Sequence, residues 1–161
     1  MAAVDYFLKL DGIDGESQDS KHKDEIELES FSWGATQAGT GGRGAGMSAG
    51  KVAMQNFNFV MKVSKASPKL FNHCCTGEHI KKATIIARKA GKDQQEYLKV
   101  TLSDILVSSY EASGSPNDIV PADRISLNFS KIEVEYKEQK ADGSLAGAVK
   151  AGYDLKSNKS V

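Results

Sequence analysis

Glu25-Ile26-Glu27-Leu28-Glu29-Ser30-Phe31-Ser32-Trp33-Gly34 is the stretch whose reading decides the fold. Ile26 and Leu28 occupy one parity, Phe31 and Trp33 the other, which is the alternation of a half-buried strand that changes face once. Such a switch predicts a bulge or face change near Ser30. Beyond it, with Phe31 and Trp33 turned into the core, Ser32 faces the opposite surface of the wall. A small hydroxyl there offers a polar, uncharged contact.

The strand runs into Ala35 to Gly50, sixteen residues of which six are glycine. A second alternating stretch, Val52 to Lys62, leads away from it. The loop therefore hangs from two strands and has the arrangement of a docking arm. Tyr6, Leu8 and Leu10 share a parity and predict a first strand, closed by Asp11-Gly12 and Asp14-Gly15. The polar run Glu16 to Asp24 predicts a loop.

Further along, Phe57, Phe59 and Met61 alternate with Asn56, Asn58 and Val60 as a half-buried strand. One short helix follows, with Ser67 as N-cap, Pro68 at the first helical position, Leu70, Phe71 and Cys74 on one face, and Gly77 as C-terminal cap. Strands Ala83 to Ala90 and Glu96 to Val107 are joined by a glycine-containing hairpin, and Ala112 to Asp123 is a loop. Ile125 to Lys137 switches parity once more, which predicts a second bulge near Ser130. The tail from about 139 is expected to be flexible, with an edge strand around Tyr153 to Lys156. These elements predict a mainly β single domain over 1–161, a two-sheet antiparallel β-barrel with one short α-helix.

Composition narrows the partners. Lys+Arg and Asp+Glu are both 21, so the formal net charge is +0. Nucleic acid and membrane are excluded as expected partners, and self-association is not opposed by charge. The N-terminal residues show neither a basic segment nor a long apolar run, so no signal peptide and no membrane span are expected. Adjacent Cys74 and Cys75 suit a reducing site of synthesis.

Catalytic patterns fail on context. Gly46-Met47-Ser48-Ala49-Gly50 matches G-x-S-x-G, but no strand precedes the serine, no helix follows it, and the order of triad partners fits poorly. Gly39-Thr40-Gly41-Gly42-Arg43-Gly44 satisfies G-x-G-x-x-G without the helix that a dinucleotide requires, and Gly50-Lys51-Val52 lacks the hydroxyl of a P-loop. His73, Cys74, Cys75 and His79 have ligating chemistry, yet neighbours on a helix diverge by about 100°. His22 sits isolated in a polar loop. No enzyme activity, cofactor or metal is expected.

The succession Tyr6-Phe7-Leu8-Lys9, Gly15-Glu16-Ser17, His22, Phe31-Ser32-Trp33-Gly34, the glycine loop and Gly50-Lys51-Val52 resembles the haemolysin-coregulated proteins, Hcp, of bacterial type VI secretion. Arg88-Lys89-Ala90-Gly91, Glu96-Tyr97-Leu98, Leu106-Val107-Ser108-Ser109, Leu127-Asn128-Phe129 and Gln139-Lys140-Ala141-Asp142-Gly143 agree in order. The resemblance implies a hexameric ring and stacking of rings into the inner tube of a contractile machine. It further implies expulsion by sheath contraction and carriage of small effectors in the lumen.

On that resemblance Ser32 matches the lumen-facing serine. The loop containing Gly39, Thr40, Gly41, Gly42, Arg43 and Gly44 matches the one that bridges rings. The implied partners are further copies of the chain, sheath and VgrG-like tip proteins, and small effectors. The implied course is synthesis in the bacterial cytoplasm and export by type VI secretion to the medium or a target cell. Two other readings stand beside it: a monomeric barrel binding a small ligand in an apolar interior, and a hydrolase using Ser48.

Overall fold

The computed structural model describes residues 4–39, 51–89 and 94–161. Its strands are β1 (Val4–Leu10), β2 (Ile26–Leu28), β3 (Ser30–Ser32), β4 (Ala35–Gln37), β5 (Val52–Met54), β6 (Phe57–Lys62), β7 (Ile80–Lys89), β8 (Glu96–Ser113), β9 (Ala122–Gln139), β10 (Leu145–Asp154) and β11 (Lys159–Ser160), with one helix, α1 (Ala66–Thr76). The large sheet runs β11-β10-β9-β8-β7-β1-β2, and β6 branches from β9 to pair with β3. Every ladder is antiparallel.

The mainly β antiparallel architecture with one helix is as expected, but the barrel is not closed by ladders among the described residues. β2 pairs with β1 while β3 pairs with β6. The two are successive parts of one bent segment, joined through Glu29, whose N–H donates to the Val60 carbonyl at 2.8 Å. The sheet therefore turns a corner there by covalent continuity rather than by pairing. This is where the parity of Ile26 and Leu28 gives way to that of Phe31. The core inside the corner contains Leu8, Phe57, Phe59, Met61, Leu70, Leu102 and Leu127, all at most 1% exposed.

The second expected bulge is misplaced by the sequence reading. From Leu98↔Tyr136 to Val107↔Leu127 the β8–β9 register is unbroken, and the shift falls between Val107 and Ser109. The parity change from Phe129 to Ile132 is made without an extra residue. Opposite it, Asp104 adopts φ 53°, a left-handed conformation for a non-glycine residue. Its carboxylate secures the distortion by accepting from Ser130 Oγ at 3.0 Å and Lys156 Nζ at 2.5 Å, with His79 Nδ1 at 2.8 Å. These contacts, with Lys156 the foremost, hold the Asp104 carboxyl well below the usual carboxylate range.

α1 also starts differently from expectation. Its N-cap is Lys65, and Ser67 lies within the first turn. Ser67 Oγ is drawn instead to the fully buried Asp123, donating to Oδ2 at 2.5 Å, while Ser64 Oγ accepts from the Ala66 N–H at 3.2 Å. Gly77 caps the other end at φ 71°, its N–H donating to His73 O at 2.9 Å, as the sequence predicts. Leu70 is buried, Cys74 is half-buried, and Phe71 lies 55% exposed with its ring edge against Tyr110.

Strands flanking the glycine loop pair as a separate two-stranded ribbon, β4 with β5, tied at its base by Gln55 N–H to Gly34 O at 2.8 Å. Of the loop residues singled out, Gly39 is described; Thr40, Gly41, Gly42, Arg43 and Gly44 lie outside the described residues, as does Ser48. The chain after Gln139 pairs along β9 as β10, longer and earlier than the expected edge strand.

Candidate functional site

Cross-strand register turns single alternations into continuous surfaces. Ser32 in β3 lies opposite Asn58 in β6, Asn58 opposite Ser126 in β9, and Ser126 opposite Ser109 in β8. Four neutral hydrogen-bonding residues thus form one row across the wall. The adjacent row reads Ser30, Val60, Arg124 and Glu111. On the opposite face, Phe31, Phe59, Ile125 and Tyr110 occupy one row and Phe57, Leu127 and Val107 the next.

Ser32 is exposed and Phe31 is half-buried against the core, the arrangement that the alternation predicts. Phe31 stacks on Phe57 with centroids 5.7 Å apart and meets Tyr6 edge-on at 5.1 Å. Such contacts fix the ring orientation and so the side on which Ser32 emerges. The exposed rows line a shallow concavity of about 400 Å³. Hydroxyls and amides in it and beside it interlock: Ser126 Oγ donates to Asn58 Oδ1 at 2.5 Å, and next to the concavity Asn56 Nδ2 donates to Ser108 Oγ at 3.2 Å and Ser108 Oγ to the Ser126 carbonyl at 3.1 Å.

Sequence reading singled out Ser32 as outward-facing but not the row it belongs to. The register shift after Val107 leaves both Ser108 and Ser109 exposed, so two hydroxyls stand side by side where regular alternation would show one. The Val107-Ser108-Ser109-Tyr110 doublet, apolar then twice polar then apolar, is the local signal for it. Asn58 and Ser126 carry no local signal, because only the pairing of β6 with β9 brings them to Ser32.

His22 is also corrected. It is 5% exposed, stacked on Phe7 at 4.3 Å, with Nδ1 2.9 Å from Glu25 Oε2 and Nε2 2.7 Å from Glu96 Oε1. The segment before it covers the outer face of β1 and β7, where Phe7 and Arg88 are each 2% exposed. Arg88 donates to both oxygens of Asp19 at 3.0 and 2.8 Å and to Asp5 at 3.1 Å. Gly15 permits the cover to approach so closely, since a Cβ there would lie 2.5 Å from Glu25 O.

The His73, Cys74, Cys75 and His79 cluster does not converge. His73 Nδ1 is 2.8 Å from Lys69 O, whereas His79 turns to Asp104. Among the described residues no three His, Cys, Asp or Glu side chains are placed to hold a metal ion. Among the described residues no helix is long and apolar enough to cross a membrane. The arrangement is that of a β wall with one apolar face and one polar face, on which a row of neutral residues lies beside a row that carries Arg124 and Glu111.

Residues 7–136 match the family model for the type VI secretion system effector, Hcp. Protein hcp1 of Pseudomonas aeruginosa is 40% identical over 158 residues, covering 97% of this chain and 98% of that protein. The crystal structure of Hcp1 from Salmonella typhimurium superposes with a TM-score of 0.83 at 42% identity, over 99% of this chain and 100% of that one. The structure of a type six secretion system protein gives a TM-score of 0.94 at 30% identity with the same coverage. The chain belongs to the Hcp family of the type VI secretion system. It is a structural protein of the secretion tube rather than an enzyme.

The Asp19–Arg88 contact has a pH signature. Arg88, foremost among the influences on Asp19, holds its carboxyl well below the usual carboxylate range. A depressed folded-state pKa gives stability that is present above about pH 4, where the unfolded carboxylate titrates, and is lost as pH falls through the folded value. Asp19→Asn should cost about 2 kcal/mol at neutral pH. In urea titrations from pH 7 to pH 2, the gap between wild type and variant should close in acid. A constant gap would contradict the pairing.

Proposed function

We propose that the chain assembles as a hexameric ring, that rings stack into the inner tube expelled by sheath contraction, and that the lumen wall, centred on Ser32, holds and protects small effectors. The observation that carries this reading is the row Ser32, Asn58, Ser126 and Ser109 on one face of a wall whose other face is closed by core aromatics. A lumen that carries varied passengers needs a surface that offers hydrogen bonds without a strong field of one sign. Neutral hydroxyl and amide groups meet that need.

The small-ligand barrel gains no support, since the interior is occupied by Phe57, Phe59, Met61 and Leu102 at 0–1% exposure. A ring of heterologous contacts leaves two unlike faces that repeat head to tail as a tube. The loop Gly39, Thr40, Gly41, Gly42, Arg43 and Gly44 is proposed to bridge them. Its glycines suit a segment that adapts its backbone to a neighbouring ring, so stacking can be weak and reversible. Sheath and tip proteins are the remaining proposed partners. Synthesis in the bacterial cytoplasm precedes export by type VI secretion.

Ser32→Gln should leave rings intact, because the residue is exposed and off the core, while effector retention in pull-downs falls about tenfold or more, a change of about 1.4 kcal/mol. Unchanged retention would remove Ser32 from the lumen site. Deleting 39–46 should preserve single rings and abolish tubes under the electron microscope. Normal tubes from the deletion would refute the bridging loop.

A further inference from the structure

The segment between β1 and β2 is fastened over the outer face of the large sheet at two points that differ in chemistry. Its chain folds back on itself, with Gly15 N–H donating to Asp24 O at 2.7 Å, Asp24 N–H to Ser17 O at 2.9 Å and Ser17 N–H to Glu25 O at 3.0 Å. Asp24 adopts φ 62°, a left-handed conformation that a non-glycine residue keeps only where surrounding contacts enforce it. Beneath the segment lies Phe7. Arg88 sits over its ring, 4.8 Å from the centroid, and His22 stacks on it with 12° between planes.

The first fastening, Asp19 to Arg88, is constant in charge: the guanidinium does not give up its proton, and it holds the Asp19 carboxyl well below the usual carboxylate range. The second is His22, and its geometry is satisfied in one protonation state only. Nδ1 lies 2.9 Å from Glu25 Oε2 and Nε2 2.7 Å from Glu96 Oε1. A carboxylate accepts and cannot donate, whereas a neutral imidazole has one N–H and one lone pair. Both contacts are therefore hydrogen bonds only when the ring carries two protons. With one proton, a nitrogen lone pair faces a carboxylate.

Neither carboxylate has a second ion-pair partner among the described residues, and no other charged group there reaches the ring. Arg88 is occupied by Asp19 and Asp5. The row through Phe7 carries Glu27 on β2, Ile86 on β7 and Lys99 on β8, while Asp5 and Lys9 flank Phe7 along β1. The Glu25 side chain is 14% exposed, so water reaches it freely only if the segment lifts.

We propose that residues 15–25 form a proton-dependent clasp, closed while His22 carries both ring protons and released at its His22 end when the ring loses one, with Asp19–Arg88 holding the other end throughout. Imidazole changes charge between about pH 5 and 8. A group that must keep its proton to make the folded contact gives stability that is present in acid and lost as pH rises. Release uncovers Phe7, 2% exposed when the clasp is closed, beside a groove of about 490 Å³ that Asp5, Gln18, Asp19 and Arg88 line.

Hydrogen–deuterium exchange of the full-length protein between pH 6 and pH 8.5, divided by the intrinsic rate at each pH, tests the clasp. Protection of amides 17–25 should fall about tenfold or more over that range, the worth of one hydrogen bond to a charged group, while β1 and β7 keep theirs. Glu96→Gln distinguishes a protonation switch from simple packing. The new amide can donate to the imidazole lone pair, so a singly protonated ring keeps both hydrogen bonds, and protection should change less than about twofold with pH. His22→Gln should be weakly protected at both ends of the range. Wild-type protection that does not change with pH, or Glu96→Gln losing protection as wild type does, would overturn the proposal. So would a fall shared by β1 and β7, which reports unfolding of the whole sheet. Should His22→Gln fail to fold, Glu96→Gln, at a side chain 42% exposed, carries the test alone.

Discussion

The unbroken pairing of β8 with β9 is the constraint on which the remaining structure depends. Two strands of 18 residues each hold one register from Leu98↔Tyr136 to Val107↔Leu127 and shift once beyond it. β7 and β1 extend the sheet from β8, while β6 and β10 both pair with β9, at different parts of its length. A one-residue slip in the central pair would turn Leu102, Ile105 and Val107 outward relative to Ile132, Phe129 and Leu127. The same slip would break the polar row at Ser109. Core and outer surface are thus set by one register.

Polar groups fasten what this hairpin cannot reach by ladder. Asp123 holds the first turn of α1 through Ser67; Asp104 ties the turn after β10 through Lys156; Arg88 binds the segment covering β1 through Asp19. Each joins segments more than fifty residues apart or on separate strands, and each leaves the apolar interior to shape alone. The pattern suits a subunit whose surfaces must hold their shape while contacts between subunits form and break. Buried polar partners cost stability when unpaired, so such contacts favour one arrangement over near alternatives.

What the sequence made legible was local. The parity of Ile26, Leu28, Phe31 and Trp33 predicted a face change near Ser30, one residue from the corner at Glu29, and the outward turn of Ser32, because alternation is a property of consecutive residues. Gly77 was legible for the same reason. Contacts between distant segments were not: Ser67 looked like an N-cap until Asp123, 56 residues away, claimed its hydroxyl. His22 looked isolated because the strand face it covers belongs to Phe7 and Arg88. The second bulge was assigned to β9, where parity changes, whereas Asp104 absorbs that change in backbone conformation and the extra residue lies in β8.

The same register that buries the aromatics creates a polar wall with a neutral row along it. A wall with one polar face is suited to a cycle of identical subunits around a lumen. Light scattering of the purified protein, with electron microscopy of the same fraction, tests this most directly. The expected result is a particle of six times the 17.3 kDa chain, seen as rings. A monomer that persists on concentration would contradict it.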